Sequence, residues 1–261
     1  MTRVALGVSY NGQAYNGWQS QLSGNTVQDK LEAALGRFAA QEVSTICAGR
    51  TDAGVHGLMQ VVHFDTALDR AEFSWVRGTN SHLPAGVTVL WAVEVDESFH
   101  ARFSAEARRY RYVLLNRRIR PGLAGGRVGW THGDLDEEAM AAAAACLAGE
   151  HDFTSFRAAE CQAKSPVRLM HSVSVQRRGE VVVFDFHANA FLHHMIRNLV
   201  GSLVFVGKGR RPVDWMAELL AARNRSLAAP TFAPDGLYLC GVDYPPQWPL
   251  PGGGRIIAPP Q

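Results

Sequence analysis

Two successive rounds of strand-like and helical pattern constrain this chain more than any single residue does. In the first round, Val4 to Tyr10 alternates and stops at Asn11-Gly12, a strand followed by a turn. Thr26 to Ala39 reads as a helix, because Thr26 and Asp29 have capping-box spacing and Val27, Leu31, Leu35 and Phe38 share one face. Val43 to Cys47 and Gln60 to Phe64 read as strands, Ala71 to Gly78 as a short helix and Val87 to Val95 as another strand. In the second round, Tyr110 to Leu115 is a strand. Leu135 to Ala148 is an alanine-rich helix that Asp134 and Glu137 open and Gly149 ends. His171 to Gln176 and Val181 to His187 form a hairpin about Arg178-Gly179. Phe191 to Val206 is a long apolar helix, Pro212 to Arg223 a further helix and Leu237 to Val242 the last strand. No residue-level repeat accompanies the two rounds. The pattern predicts an α+β protein of two halves around a central cleft, residues 1–105 and 106–244, followed by a Pro/Gly-rich tail over 245–261.

At 261 residues the chain has room for one large domain or two ordinary ones, and 47% hydrophobic against 19% charged residues is the balance of a globular core. No apolar run reaches the roughly 18–20 residues of a membrane span, and the N-terminus lacks a signal-peptide core. Cys47, Cys146, Cys161 and Cys240 are far apart and read as free thiols of a reducing compartment, the cytoplasm. The formal net charge of +2 says little about partners, but its distribution says more. Arg102, Arg108, Arg109, Arg111, Arg117, Arg118 and Arg120 are opposed within their own stretch by Glu106 alone, a local basic strip suited to a polyanion.

The chemistry-bearing segment is Gly49-Arg50-Thr51-Asp52-Ala53-Gly54-Val55-His56-Gly57, which follows an apolar strand. Glycines let the backbone turn tightly and a ligand approach closely, and a strand end that delivers one carboxylate into such a loop is a common way to build a site. The plainer reading, Asp52 as a turn cap or partner of Arg50, stands level with this on spacing alone. Strand alternation puts Tyr110 and Tyr112 on one face and Arg109 and Arg111 on the other. His193 and Arg197, four apart, share one face of the Phe191–Val206 helix, and a charge on so apolar a helix needs a partner. The histidines have no recognised metal-ligand spacing, and Gly252-Gly253-Gly254 lacks the Lys-Ser/Thr of a phosphate loop.

The segment around Asp52 resembles the signature of the TruA family of tRNA pseudouridine synthases. The resemblance continues in order through Tyr10-Asn11-Gly12 with Gly17-Trp18-Gln19, then Phe99-His100-Ala101-Arg102-Phe103-Ser104-Ala105 and Arg109-Tyr110-Arg111-Tyr112. Asp152-Phe153-Thr154-Ser155-Phe156, Asn189 to Asn198 and Gly236-Leu237-Tyr238-Leu239 complete it. One departure is Asn11, where the family has Asp. The resemblance implies a pseudouridine synthase fold of two ferredoxin/RRM-like halves with mixed, mainly antiparallel sheets. It also implies isomerisation of uridine at positions 38, 39 and 40 of the tRNA anticodon stem-loop, by a homodimer, with neither metal nor cofactor.

By resemblance, Asp52 is the essential carboxylate, Tyr110 stacks on the extracted uracil and serves the removal of the C5 proton, and Arg197 pairs with the carboxylate. Leu237 packs on the base, and Arg50 takes the place of the flipped nucleotide; Arg109, Arg111 and His193 are further expected contacts with the RNA. Read from the residues alone, Tyr110 and Leu237 are core side chains of strands, Arg197 is a solvated helix arginine and Arg50 a phosphate clamp or a surface charge. Two other functions compete. A non-catalytic module of two RNA-binding halves fits the basic strip as well, but has no use for an acid facing RNA. A nucleosidase needs a second acid near Asp52, for which the sequence offers no candidate.

Overall fold

The computed structural model of the protein describes residues 1–248 and 250–254, and divides into two compact units, residues 1–107 with 238 onward, and residues 108–237. Of the tail expected over 245–261, residues 249 and 255–261 lie outside the described residues. Both units are mixed α+β with mainly antiparallel pairing.

The first unit contains β1 (Thr2–Tyr10), α1 (Val27–Ala39), β2 (Ile46–Cys47), β3 (His56–Thr66), α2 (Glu72–Asn80) and β4 (Val87–Val95). Strand β1 lies between β4 and β3, antiparallel to both, and β2 pairs antiparallel with β3. Element order βαββαβ with strand order 4-1-3-2 is the ferredoxin-like arrangement. Thr26 and Asp29 form the expected capping box, each side chain accepting the other's backbone N–H at 3.2 Å. From the face that α1 buries, Val27, Leu31, Leu35 and Ala39 pack with Val4, Leu6, Val8, Val62, Phe64 and Trp75 in one core. The strand expected over Val43 to Cys47 shrinks to two residues, because the Thr45 N–H and hydroxyl both donate to the Glu32 carboxylate of α1.

The second unit contains β5 (Ala107–Asn116), β6 (Gly129–Thr131), α3 (Glu137–Ala145), β7 (Gly149–Asp152), β8 (Val167–Arg178), β9 (Val181–Ala188), α4 (Met195–Gly207) and α5 (Trp215–Ala222). Its sheet runs β5-β9-β8-β7, each pair antiparallel, with β6 parallel to β5. Helix α3 is shorter than expected and opens at Asp136, whose side chain accepts the Ala139 N–H at 2.8 Å, while Glu137 pairs with Arg177. Gly149, at φ +105°, starts β7. Helix α4 starts at Met195 and not at Phe191, because His194 sits in the left-handed region at φ 61° and breaks any helix there. His193 and Arg197 therefore do not share a helix face. The last strand, β10 (Leu237–Asp243), pairs parallel with β3 through Tyr238 and Leu239, so from Tyr238 onward it belongs to the first unit, although the sequence reading grouped it with the second half.

Candidate active site

The Asp52 loop is held in place by segments on both sides of it in the chain. The peptide leaves β2 with Ala48 N–H donating to Val61 O at 2.8 Å, and Gln60 donates to Gly49 O at 2.6 Å. Trp18 N–H donates to Thr51 O at 3.0 Å, and the Thr51 hydroxyl meets the Tyr10 hydroxyl at 2.9 Å inside the core. A tight turn follows, in which Val55 N–H donates to Asp52 O at 3.1 Å and Gly54 takes φ +81°. Asp52 itself is half-buried and Arg50 exposed.

Gly17 explains why Gly-Trp accompanies the aspartate segment. It has φ +89°, and a Cβ there would stand 2.6 Å from Thr51 O. Only glycine lets the chain around Trp18 lie this close against the backbone that carries Asp52. Trp18 is fully buried against Tyr10. Asn11 does locally what an aspartate does, since its Oδ1 accepts the Gln13 N–H at 3.1 Å at the start of a short 3-10 turn. His56 is buried, its Nδ1 accepting the Gly12 N–H at 3.1 Å and its ring stacked on Tyr238 at 4.7 Å. An accepting Nδ1 carries no proton, so His56 braces the loop as a neutral ring. Burial pushes the Cys47 thiol up to about 11, against the opposing pull of the Arg50 and Arg102 charges, so it is not a thiolate nucleophile at neutral pH.

In the second unit Tyr110 lies on β5 opposite Phe186, with Phe191 edge-on to its ring at 5.0 Å. Arg197 is in the first turn of α4. Its Nε donates to Phe232 O at 2.8 Å, and the Phe232 N–H returns a bond to Arg197 O, which sets the plane of the guanidinium. Leu237 is buried at the start of β10. His193 is exposed, its ring 4.0 Å from that of His194. Arg109 and Arg111 lie on the face of β5 opposite Tyr110, as alternation requires. Arg111, however, is engaged by Asp185 of β9 in a two-pronged pair at 2.7 and 3.1 Å. Arg117 meets Glu180 at 3.6 Å, and Arg108 donates to Asn189 O. The basic strip is thus opposed by acids that are distant in sequence and adjacent across the β5–β9 pair.

A family model described as tRNA pseudouridine synthase matches residues 7–104 and 143–245. The chain belongs to that family. A protein of Aromatoleum aromaticum described as tRNA pseudouridine synthase A is 64% identical over 259 residues, covering 99% of this chain and 98% of its own. Proteins of the same description from an Acidovorax species and from Paraburkholderia xenovorans are 62% identical over 263 residues and 59% over 251, covering 95% and 96% of this chain and 96% and 93% of their own.

In this member of the tRNA pseudouridine synthase family, the expected Arg50 and Asp52 share one anchored loop, and each of the expected Tyr110, Arg197 and Leu237 has a defined setting in the second unit. The sequence reading missed Thr51, Tyr10, His56 and Tyr238 as the braces of the Asp52 loop, and Phe191 as the packing partner of Tyr110. Their motifs were visible, but side-chain alternation and spacing carry no signal for a hydroxyl pair 41 residues apart. Among the described residues, no helix is long and apolar enough to cross a membrane.

Proposed function

We propose that this chain isomerises uridine to pseudouridine in the anticodon stem-loop of tRNA, with Asp52 as the essential carboxylate, and works as a homodimer. Family membership over nearly the whole chain supports the reaction class. The observation that carries the assignment of Asp52 is its loop, a half-buried carboxylate on a backbone pinned by Trp18, Tyr10 and Gly17. Such pinning is what a reacting group needs, since catalysis by positioning is lost when the geometry loosens.

The reaction breaks the N1–C1′ bond, turns the uracil and joins C5 to C1′; the C5 proton leaves and N1 regains one. Uracil departs as a delocalised anion, so no second carboxylic acid is required, in contrast to glycosidases. One carboxylate traps or stabilises the electron-poor ribose fragment. Tyr110, held by Phe191, offers a face to the base and a hydroxyl for the proton at C5. Arg197 is the cationic partner of the carboxylate, and Leu237 supplies an apolar contact to the base. Arg50 stands in for the extruded nucleotide, whose removal from a helix costs roughly a few kcal/mol. Arg109, Arg111 and His193 contact the RNA.

Asp52→Asn abolishes pseudouridine formation while tRNA binding persists. Modification near the wild-type rate would show that the carboxylate is not essential. Mapping pseudouridine in tRNA from cells lacking the protein tests the anticodon assignment, and a solution mass of only the 28.5 kDa chain would remove the dimer.

A further inference from the structure

The segment 96–104 of the first unit is a loop built to show one aromatic ring. Phe99 is fully buried, packed on Tyr244 and Trp248 at 5.2 Å each, and its carbonyl accepts from Arg3 at 2.8 Å. Arg3 also donates to Glu97 O. The Tyr244 hydroxyl donates to Ala101 O at 2.6 Å, and the Ala101 N–H donates to Nδ1 of the buried His63 at 3.1 Å. His100 closes the loop on itself. Its Nδ1 accepts the N–H groups of both Arg102 and Phe103, its N–H donates to Ser104 Oγ, and its carbonyl accepts the Ser104 N–H.

At the tip, Phe103 is 76% exposed, with one face of its ring stacked on His100 at 4.3 Å and 28°. The Arg102 guanidinium lies 5.5 Å from the ring centre. An isolated exposed phenylalanine is common and needs no explanation. This one is different, because more than half a dozen hydrogen bonds and the buried Phe99, packed on two half-buried aromatic rings, hold its backbone while its ring stays out. Desolvation, with the Arg3 charge, lowers the basicity of the supporting His100, which keeps it a neutral stacking surface. His63, which holds Ala101, is paired with Ile46 of β2, so the base of the platform is anchored beside the strand that leads into the Asp52 loop.

A rigid exposed aromatic with an arginine at its edge is the chemistry that receives an unstacked nucleobase and the phosphate next to it. A duplex offers no free base faces; the loop of a hairpin does. We propose that Phe103, backed by His100 and flanked by Arg102, is a stacking platform for one unpaired base of the RNA substrate, which rests on the reading of this chain as a tRNA-modifying enzyme. The platform positions RNA and takes no part in bond making. The ordered loop pays no folding entropy on binding, which is the advantage of building it on Arg3, His63 and Tyr244.

The test measures binding of an unmodified anticodon-arm hairpin by the full-length protein, and its turnover. Phe103→Ala raises Kd by about tenfold, the loss of one base–aromatic stack. Phe103→Trp restores binding, and Asp52→Asn carrying Phe103→Ala shows the same loss. Arg102→Ala lowers the salt dependence of log Kd by about one phosphate contact. Hairpins carrying an abasic site at each loop position in turn identify the base: at one position the loss in the wild type equals that of Phe103→Ala, and the two losses do not add. Wild-type affinity for Phe103→Ala, additive losses at every abasic position, or loss of binding together with a change in solution mass would each overturn the platform, the last by making Phe103 a contact between copies. Because the wild type's pseudouridine formation is read in the same assay, failure of the platform is separable from failure of the enzymatic reading.

Discussion

Replacing Gly17 with alanine tests whether the Asp52 loop is positioned by its neighbour or merely adjacent to it. The added Cβ would stand 2.6 Å from Thr51 O, where ordinary contact begins at 3.4 Å, so one backbone must retreat by 3.4 − 2.6 = 0.8 Å. No side chain can rotate away to relieve it. The same displacement takes the Trp18 N–H to Thr51 O bond from 3.0 Å to a length at which it no longer counts as a hydrogen bond. The left-handed backbone strain costs about 1–2 kcal/mol, and the lost bond about 1 kcal/mol. Melting temperature then falls by roughly 5–10 °C. Activity should fall further than stability, because a misplacement approaching 1 Å in a reacting group costs about a hundredfold in rate. Gly24→Ala is the control, since Gly24 also has positive φ, +63°, but nothing lies within 4 Å of its Cβ position. It should lose about 1–2 kcal/mol of stability and no activity. The measurements are thermal unfolding and single-turnover release of the C5 hydrogen from tRNA, well below both melting temperatures. If Gly17→Ala turned over within twofold of Gly24→Ala, the claim that this contact positions Asp52 would be wrong.

Two other predictions follow from the charge arrangement. Asp185→Asn removes the carboxylate that engages Arg111 and should tighten tRNA binding severalfold at low salt, with a steeper salt dependence; an unchanged slope takes that face of β5 out of the RNA interface. The His63 ring, buried near Arg3, His100 and Asp65, has its pKa lowered to about 4, first by desolvation and then by the Arg3 charge. A folded pKa below the unfolded value means the neutral form is favoured by folding, so its contribution is intact above about 6.5 and is lost as pH falls toward 4. The loss is on the order of 2–3 kcal/mol. His63→Gln should flatten the pH dependence of the melting temperature between 7 and 4, and an equally steep dependence in the variant would assign the effect elsewhere.

The sequence by itself determined the element types, the α1 capping box, the alternation along β5 and the identity of the loop that carries Asp52. Each of these is written in residues within a few positions of one another: Thr26 and Asp29 meet because they are one turn apart, and Tyr110 and Arg109 face opposite ways because a strand alternates. The family resemblance added the site residues, since seven segments in order are legible without any knowledge of distance. Local pattern misjudged α4, because apolar periodicity runs straight through His194 and cannot register a positive φ. It also read the arginines from 102 to 120 as one strip opposed by Glu106 alone, because Asp185 is 74 residues from Arg111 in the chain and directly across from it in the sheet. Only the tertiary structure decided that Trp18, Tyr10 and Gly17 hold the Asp52 backbone, that Phe191 packs on Tyr110 and that Phe103 is presented rather than buried. These are contacts between residues far apart in the chain, whose geometry is set by strand pairing and by packing of the core, and neither composition nor spacing along the chain records them.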